Sequence, residues 1–200
     1  AFYMPKLVYI NVNTVKTLSE RQYHSGLGEV IKHGLIRDKA YFEWMQDNKE
    51  AVAKREDEAL AYMIEGSCEI KRAVVEEDPK EHGVRALLNF GHTYAHAIEQ
   101  YYHYEKYSHG EAVGIGMYQI TKLAESLDLT KTESSMQIKE ILQKYNLPYE
   151  CQVETKNLIQ AISLDKKNIN NSLSVVLLKE IGDSYVYQTN QEFLLKKERV

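Results

Sequence analysis

The stretch LNFGHTYAHAIE, residues 88–99, carries the pattern from which the rest of the chain is interpreted. His92 and His96 are four residues apart in it, so on an α-helix their side chains lie on one face, one turn apart. Two imidazoles placed in this way can reach a common centre. The commoner alternative is a surface or hydrogen-bonding pair of histidines. The stretch therefore predicts a helix with a candidate metal-binding face.

Helical periodicity continues on both sides of this stretch. Apolar residues recur every three or four positions, and polar caps or prolines mark the ends. The predicted helices cover residues 19–36, 38–48, 56–77, 85–102, 109–127, 128–145 and 154–164. Two strand-like segments follow, residues 173–178 and 185–187, and a turn at residues 182–183 makes them a hairpin. The last ten residues predict a short amphipathic helix.

The first residues have a different pattern. Residues 7–12, LVYINV, are β-branched and aromatic, which predicts a strand. Because a lone strand normally pairs with another, we expect the chain to begin inside a larger protein. The predicted fold class is mainly α: a multi-helix bundle domain with a small β-hairpin near the C-terminus and a leading strand from a preceding α/β domain.

Composition narrows the functional classes. The chain has 200 residues and a formal net charge of -4, so no basic excess points to nucleic acid. No apolar run approaches the roughly 20 residues of a membrane helix, and no secretory signal opens the sequence. Cys68 and Cys151 are far apart and belong to no Cys-x-x-Cys pair, which favours reduced cysteines in a cytosolic protein.

A carboxylate and a third histidine extend the candidate metal site. Glu29 lies among small and apolar residues in GLGEVIKHG, residues 26–34, and His109 opens HGEAV, residues 109–113. Burying a carboxylate is costly unless a positive group meets it, and a divalent metal would do so. The alternative is a salt bridge to Lys32 or contact with His33. One carboxylate and two imidazoles with open positions is a catalytic zinc arrangement.

Several cations accompany these histidines. Lys71, Glu81, Arg85 and Asn89 precede His92, and residues 165–168 read DKKN. Cations that converge on one cleft suit a multiply charged anion, because Arg grips a carboxylate and Lys acts as a point charge for phosphate. Taken singly, Lys71 and Arg85 are better explained as solvated helix residues, and that explanation weakens only when they are considered together.

The motifs together resemble those of the 3-dehydroquinate synthases. GEVIK at residues 28–32, NFGHTxxHAIE at residues 89–99 and HGEAV at residues 109–113 occur in the order and approximate spacing of that family. FYxPK at residues 2–6 and DKK at residues 165–167 also fit. Gly28 stands where Ala is usual, Ala95 where Gly is usual, and residues 170–171 replace a Gly-containing turn.

This resemblance implies an NAD- and zinc- or cobalt-dependent lyase of the shikimate pathway. The enzyme converts 3-deoxy-D-arabino-heptulosonate 7-phosphate to 3-dehydroquinate and phosphate, in the cytoplasm and as a homodimer. NAD is bound by an N-terminal α/β domain and is used catalytically. Residues 1–15 would be the end of that domain, and residues 16–200 the helical metal- and substrate-binding domain. Alone, this chain would bind no NAD and would be inactive.

The resemblance also implies a role for each candidate residue. Glu29, His92 and His109 would bind the metal. The phosphate would be met by Lys32, Asn89, His96 and one of Lys166 or Lys167. Lys71 and Arg85 would bind the substrate carboxylate, and Glu81 its hydroxyl groups. The predicted catalytic residues are Lys32, Glu81 and His96. His96 would lie near the phosphate and take part in proton transfer.

Three alternatives remain open at this point. Other sugar phosphate cyclases share the metal ligands but act on substrates without a carboxylate, so Lys71 and Arg85 favour the keto-acid phosphate over them. Metal-dependent alcohol or glycerol dehydrogenases use a different ligand set, typically one Asp and three His. A helical interaction module with structural histidines would bind no metal.

Overall fold

The computed structural model describes residues 6–80, 83–153, 156–158 and 172–196. Two 3₁₀ helices, Val12–Thr17 and Val84–Asn89, accompany the α-helices. The α-helices are α1 (Glu20–Arg37), α2 (Lys39–Asp47), α3 (Lys49–Ala53), α4 (Asp57–Glu77), α5 (His92–Tyr101), α6 (His109–Ser126), α7 (Ser134–Lys144) and α8 (Gln191–Leu194). The strands are β1 (Leu173–Glu180) and β2 (Asp183–Thr189). The mainly α class with a C-terminal hairpin is confirmed.

Helix α6 is the centre of the bundle. It packs against α1, α5 and α7, and most of its residues are buried. The half-buried polar residues Glu111, Gln119, Lys122 and Glu125 lie on one face, and the apolar residues on the other faces pack into the core. The buried apolar side chains of α6 are Ala112, Val113, Ile115, Met117, Tyr118, Ile120, Leu123 and Ala124.

The ends of α1 follow from local sequence. Ser19 and Gln22 form a capping box at its start. Asp38 ends α1, and its carboxylate then accepts a hydrogen bond from the backbone N–H of Tyr41, 2.9 Å away, to cap α2. One residue therefore stops one helix and begins the next.

The single helix predicted over residues 85–102 is wrong. The 3₁₀ helix ends at Asn89, Gly91 has a left-handed backbone with φ of 79°, and α5 begins only at His92. An added Cβ at Gly91 would lie 2.9 Å from the backbone N of Met117. The close contact of Gly91 with α6 therefore breaks the helix just before the histidines. This contact cannot be predicted from the local sequence.

Two smaller predictions also differ from the structure, and one short helix was not predicted. Residues 7–11 form no strand: Leu7, Val8 and Tyr9 are exposed, and a strand needs a partner to satisfy its backbone groups. The helix predicted over residues 128–145 begins at Ser134, because Asp128 and Glu133 adopt left-handed backbone. Residues 49–53 form the unpredicted α3. The helix predicted over residues 154–164 is described only at residues 156–158, which are helical.

The hairpin is confirmed and packs on α1. Strands β1 and β2 are antiparallel, with Val176 opposite Val186. The turn lies at residues 181–182, one residue earlier than predicted, and the N–H of Gly182 donates to the carbonyl of Leu35, 2.8 Å away. Among the described residues, no helix has both the length and the apolar character that crossing a membrane requires.

Candidate metal centre

Three helices each contribute one side chain to a common point. Glu29 comes from the middle of α1, and His92 and His109 are the first residues of α5 and α6. One ligand atom from each lies within 4.8 Å of the other two. Glu29 Oε1 is 3.7 Å from His92 Nε2 and 3.4 Å from His109 Nε2. The three residues predicted as metal ligands therefore converge.

Glycines allow the helices to come this close. Gly28 on α1 faces Gly110 on α6, where an added Cβ on Gly28 would lie 2.5 Å from the Gly110 carbonyl oxygen. The N–H of Gly110 donates to Ser25 Oγ, 3.1 Å away. Glu29 and His109 are the chain neighbours of these two glycines. Backbone contact between α1 and α6 thus determines how far the carboxylate lies from the imidazole.

The two oxygens of Glu29 have different surroundings. Oε2 accepts a hydrogen bond from Lys32 Nζ, 2.6 Å away, while Oε1 is buried with no hydrogen-bond partner. Burial raises the pKa of Glu29, but Lys32, His92 and His109 outweigh it and hold that pKa below its ordinary value. The salt bridge with Lys32 therefore engages one oxygen of Glu29 and leaves the other facing the two imidazoles.

His92 is held in the form that a metal ligand needs. Its Nδ1 lies 3.1 Å from the carbonyl oxygen of Phe90, so Nδ1–H can donate there and Nε2 carries the free lone pair. Burial, with Lys32 nearby, lowers the pKa of His92 to about 4. A neutral imidazole, an ionised carboxylate and an unpartnered buried oxygen suit a divalent cation such as zinc or cobalt.

His109 contacts a carboxylate that the sequence did not predict to lie at this site. Its Nδ1 lies 3.0 Å from Oε1 of Glu99, the last residue of the NFGHTxxHAIE motif. Glu99 is seven residues after His92, two helical turns, and therefore shares its face of α5. That spacing is the signal from which the contact could have been anticipated.

The structure places some predicted substrate residues around the triad. The ring of His96 is exposed and lies 5.5 Å from that of His92 and 6.5 Å from that of His109, centroid to centroid. Lys32 is only 2% exposed and is paired with Glu29. Lys71 on α4 is exposed, and its charge helps burial to lower the pKa of Lys32. His96 and Lys32 therefore lie beside the triad, and Lys71 lies close enough to Lys32 to act on its charge.

Other predicted residues are engaged elsewhere or not described. The guanidinium of Arg85 donates to the carbonyl of Pro79, 3.1 Å away, and its N–H to Asp78 Oδ2. Asn89 is exposed at the end of the second 3₁₀ helix. Glu81, Lys166 and Lys167 lie outside the described residues. The substrate roles given to all these residues stay predictions.

His33, one turn after Glu29, gives the fold a dependence on pH. It is buried, its Nδ1 is 2.8 Å from Ser67 Oγ, and burial lowers its pKa from 6.5 to about 4, with Lys32 and Lys71 adding to the effect. The unfolded chain binds this proton more readily, so stability falls as pH drops from 6.5 towards 4. At about 1.4 kcal/mol per pKa unit, the full loss is on the order of 3 kcal/mol.

We therefore expect His33→Asn to reduce this pH dependence. The cavity cost of the smaller side chain is the same at both pH values, whereas the protonation penalty disappears. Urea unfolding of the metal-free protein at pH 7 and pH 4.5 measures both. An unchanged difference in unfolding free energy between the two pH values would contradict the assignment to His33.

Comparisons with known proteins agree with these motifs. A family model described as 3-dehydroquinate synthase C-terminal matches residues 26–168. The 3-dehydroquinate synthase of Clostridium beijerinckii is 50% identical over 196 residues, which is 96% of this chain and 55% of that protein. That of Clostridium acetobutylicum is 41% identical over 200 residues, 100% of this chain and 56% of that protein. The chain thus spans about half the length of these relatives.

Solved structures share the fold. A 2-epi-5-epi-valiolone synthase from Streptomyces hygroscopicus, with NAD+ and Zn2+ bound, superimposes with a TM-score of 0.80 at 22% identity, over 92% of this chain and 52% of that one. A 2-deoxy-scyllo-inosose synthase complexed with carbaglucose-6-phosphate, NAD+ and Co2+ gives a TM-score of 0.77 at 21% identity, over 92% and 53%. At these identities the likeness concerns architecture alone.

Proposed function

Because the chain belongs to the 3-dehydroquinate synthase family, we propose that it forms the metal- and substrate-binding part of an enzyme that converts 3-deoxy-D-arabino-heptulosonate 7-phosphate to 3-dehydroquinate and phosphate. The observation that carries the proposal is the convergence of Glu29, His92 and His109, with Glu29 Oε1 buried and unpartnered. A structural histidine cluster would leave no reason for an ionised oxygen to face two imidazoles without a partner.

The protein supplies this site with fixed donors. Glu29 Oε1 and the Nε2 atoms of His92 and His109 would hold zinc or cobalt. When bound, the metal supplies Lewis acidity to substrate oxygens. Lys32 keeps Glu29 ionised through its contact with Oε2. The charges of Glu29 and His92 are therefore set before substrate arrives.

The exposed groups around the triad would recognise the anionic ends of the substrate. His96 lies beside both ligand histidines and would meet the phosphate, where it can take part in proton transfer. Lys71 and Arg85 would bind the carboxylate, and Asn89, Lys32 and one of Lys166 or Lys167 the phosphate. Glu81 would order the substrate hydroxyl groups. These roles rest on the family motifs and on the side chains that lie beside the triad.

The proposed reaction also needs a domain that binds NAD. NAD would be bound by a preceding α/β domain, of which residues 1–15 would be the end, and residues 16–200 would form the helical domain. We propose that the whole enzyme is a cytoplasmic homodimer. The 200 residues alone should then bind metal but show no turnover.

The proposal is tested by measuring phosphate release from 3-deoxy-D-arabino-heptulosonate 7-phosphate. The assay uses the full-length protein that the gene encodes. We expect release that requires NAD, stops on chelation and returns with zinc or cobalt. Carboxylate-free sugar phosphates serve as the matched control substrates and should give far slower release. A folded protein that binds metal and NAD but releases phosphate only from the control substrates would favour an aminocyclitol-forming cyclase, which is the second candidate.

A further inference from the structure

Glu99 is a buried carboxylate with a specific contact at the proposed metal centre. The residue is 8% exposed on α5, and its Oε1 lies 3.0 Å from His109 Nδ1. A carboxylate is costly to bury unless a hydrogen bond or a charge compensates it. The imidazole of His109 supplies that compensation, so the position of Glu99 is tied to that of His109.

The contact determines which nitrogen of His109 is available. When Nδ1–H donates to Glu99, the Nε2 lone pair is free, and Nε2 is the atom that lies 3.4 Å from Glu29 Oε1. Histidines that bind metals usually donate their other ring nitrogen to a carboxylate or carbonyl, which fixes the tautomer and the ring orientation. His92 has the equivalent arrangement with the Phe90 carbonyl.

His109 needs such a restraint more than His92 does. The side chain of His109 is 47% exposed, against 14% for His92, so packing restricts its ring less. It also occupies the first position of α6, where the preceding loop approaches through two left-handed residues, His103 and Tyr104. The hydrogen bond to Glu99 therefore links His109, the most exposed residue of the triad, to α5, which also carries His92.

We propose that Glu99 is a positioning residue that holds His109 in the tautomer and orientation required for metal binding; the inference rests on the metal centre proposed above. The negative charge of Glu99 also strengthens its hydrogen bond from His109 Nδ1–H, because an ionised acceptor binds a donor more strongly than a neutral one. Glu99 itself touches neither metal nor substrate. Its loss should therefore change metal affinity and ligand geometry before it changes anything else.

Two substitutions separate orientation from charge. Glu99→Gln keeps the size and an oxygen that can accept from Nδ1–H, but removes the charge. Glu99→Leu removes both. Since loss of such outer partners typically weakens metal binding 10–100-fold, we expect the dissociation constant for Co2+ to rise about 10-fold in Glu99→Gln and about 100-fold in Glu99→Leu.

The control is Glu125→Gln at the far end of α6. Glu125 is a half-buried carboxylate that accepts hydrogen bonds from the backbone N–H and hydroxyl of Ser135, and it contacts no ligand of the triad. Its loss should disturb the fold comparably and leave Co2+ affinity unchanged. The visible absorption spectrum of bound Co2+, which reports ligand geometry, should change in both Glu99 variants and remain as in the wild type in Glu125→Gln.

The measurement uses the protein as its gene encodes it, titrated with Co2+ after chelation and dialysis. Glu99→Gln, which is nearly isosteric, carries the test if Glu99→Leu does not fold. Wild-type affinity and spectrum in Glu99→Gln and Glu99→Leu would overturn the role of Glu99 alone. Failure of the wild type to bind Co2+ would overturn the proposed metal centre and the role of Glu99 together.

Discussion

Replacing Glu29 with Gln should abolish tight binding of zinc or cobalt while α1 stays folded. The substitution keeps the shape of the side chain but removes the anionic oxygen that faces His92 and His109. Loss of a direct ligand should cost more than the 10–100-fold that outer partners cost. Equilibrium dialysis with metal analysis measures the affinity, and phosphate release should fall with it.

The same substitution should also lower stability, for a separate reason. Lys32 is buried, and Glu29 is its charged partner. Removing one member of a buried pair leaves an uncompensated charge, which costs about 3–5 kcal/mol when burial is complete. Because Glu29 is itself partly exposed, we expect a smaller loss, about 1–3 kcal/mol.

A double variant separates the two effects. In Glu29→Gln/Lys32→Met no buried cation remains, so the cost of an uncompensated buried charge disappears. Unfolding free energy should therefore recover while metal binding remains lost. Glu20→Gln, on the exposed first turn of α1, is the matched control and should alter neither quantity much. Full metal affinity in Glu29→Gln would show that the carboxylate is not a ligand.

Local features of the structure were predictable because nearby residues determine them. Ser19 caps α1 as its sequence indicates, and α4 and α6 begin and end within one residue of their predicted bounds. The three residues predicted as metal ligands converge in the structure, and each of them stands in a short motif. In all these cases the signal lies within a few residues of the feature that it specifies.

Features that depend on distant contacts were not predictable in this way. The break before α5 arises because Gly91 lies against Met117 of α6. The contact of Glu99 with His109 joins two helices, and helical spacing marks only one partner. For Glu29, the sequence offered a salt bridge or a metal ligand as alternatives. In the structure Oε2 contacts Lys32 and Oε1 faces the two histidines, so both alternatives concern different oxygens of one side chain. The identity of the residues alone cannot show this.

Gly110→Ala should be the most disruptive single-methyl change in the described chain. An added Cβ would lie 1.7 Å from the carbonyl oxygen of Ser25 and 2.6 Å from its carbonyl carbon, far inside ordinary contact. The obstacle is backbone, so no side-chain rotation can relieve it, and α1 must move away from α6. Overpacking typically costs 1–3 kcal/mol, and we expect about 3 kcal/mol or more here, measured by urea unfolding.

The metal centre should be lost in the same variant. Ser25 lies one turn before Glu29 on α1, and Gly110 follows His109 directly. Restoring ordinary contact at about 3.4 Å requires more than an ångström of separation between the helices. That displacement acts on the pair Glu29 Oε1 and His109 Nε2, now 3.4 Å apart. Metal affinity should therefore fall even under conditions in which the variant remains folded.

Two glycines of α1, Gly26 and Gly28, serve as comparisons for the Gly110 variant. Gly26 has open space where its Cβ would be, so Gly26→Ala should stabilise the helix by about 0.5–1 kcal/mol. Gly28→Ala would meet the Gly110 carbonyl oxygen at 2.5 Å, a milder clash, and should lie between the other two in stability and in metal affinity. Equal stability of the Gly26 and Gly110 variants would mean that close approach of α1 and α6 does not determine the geometry of the triad.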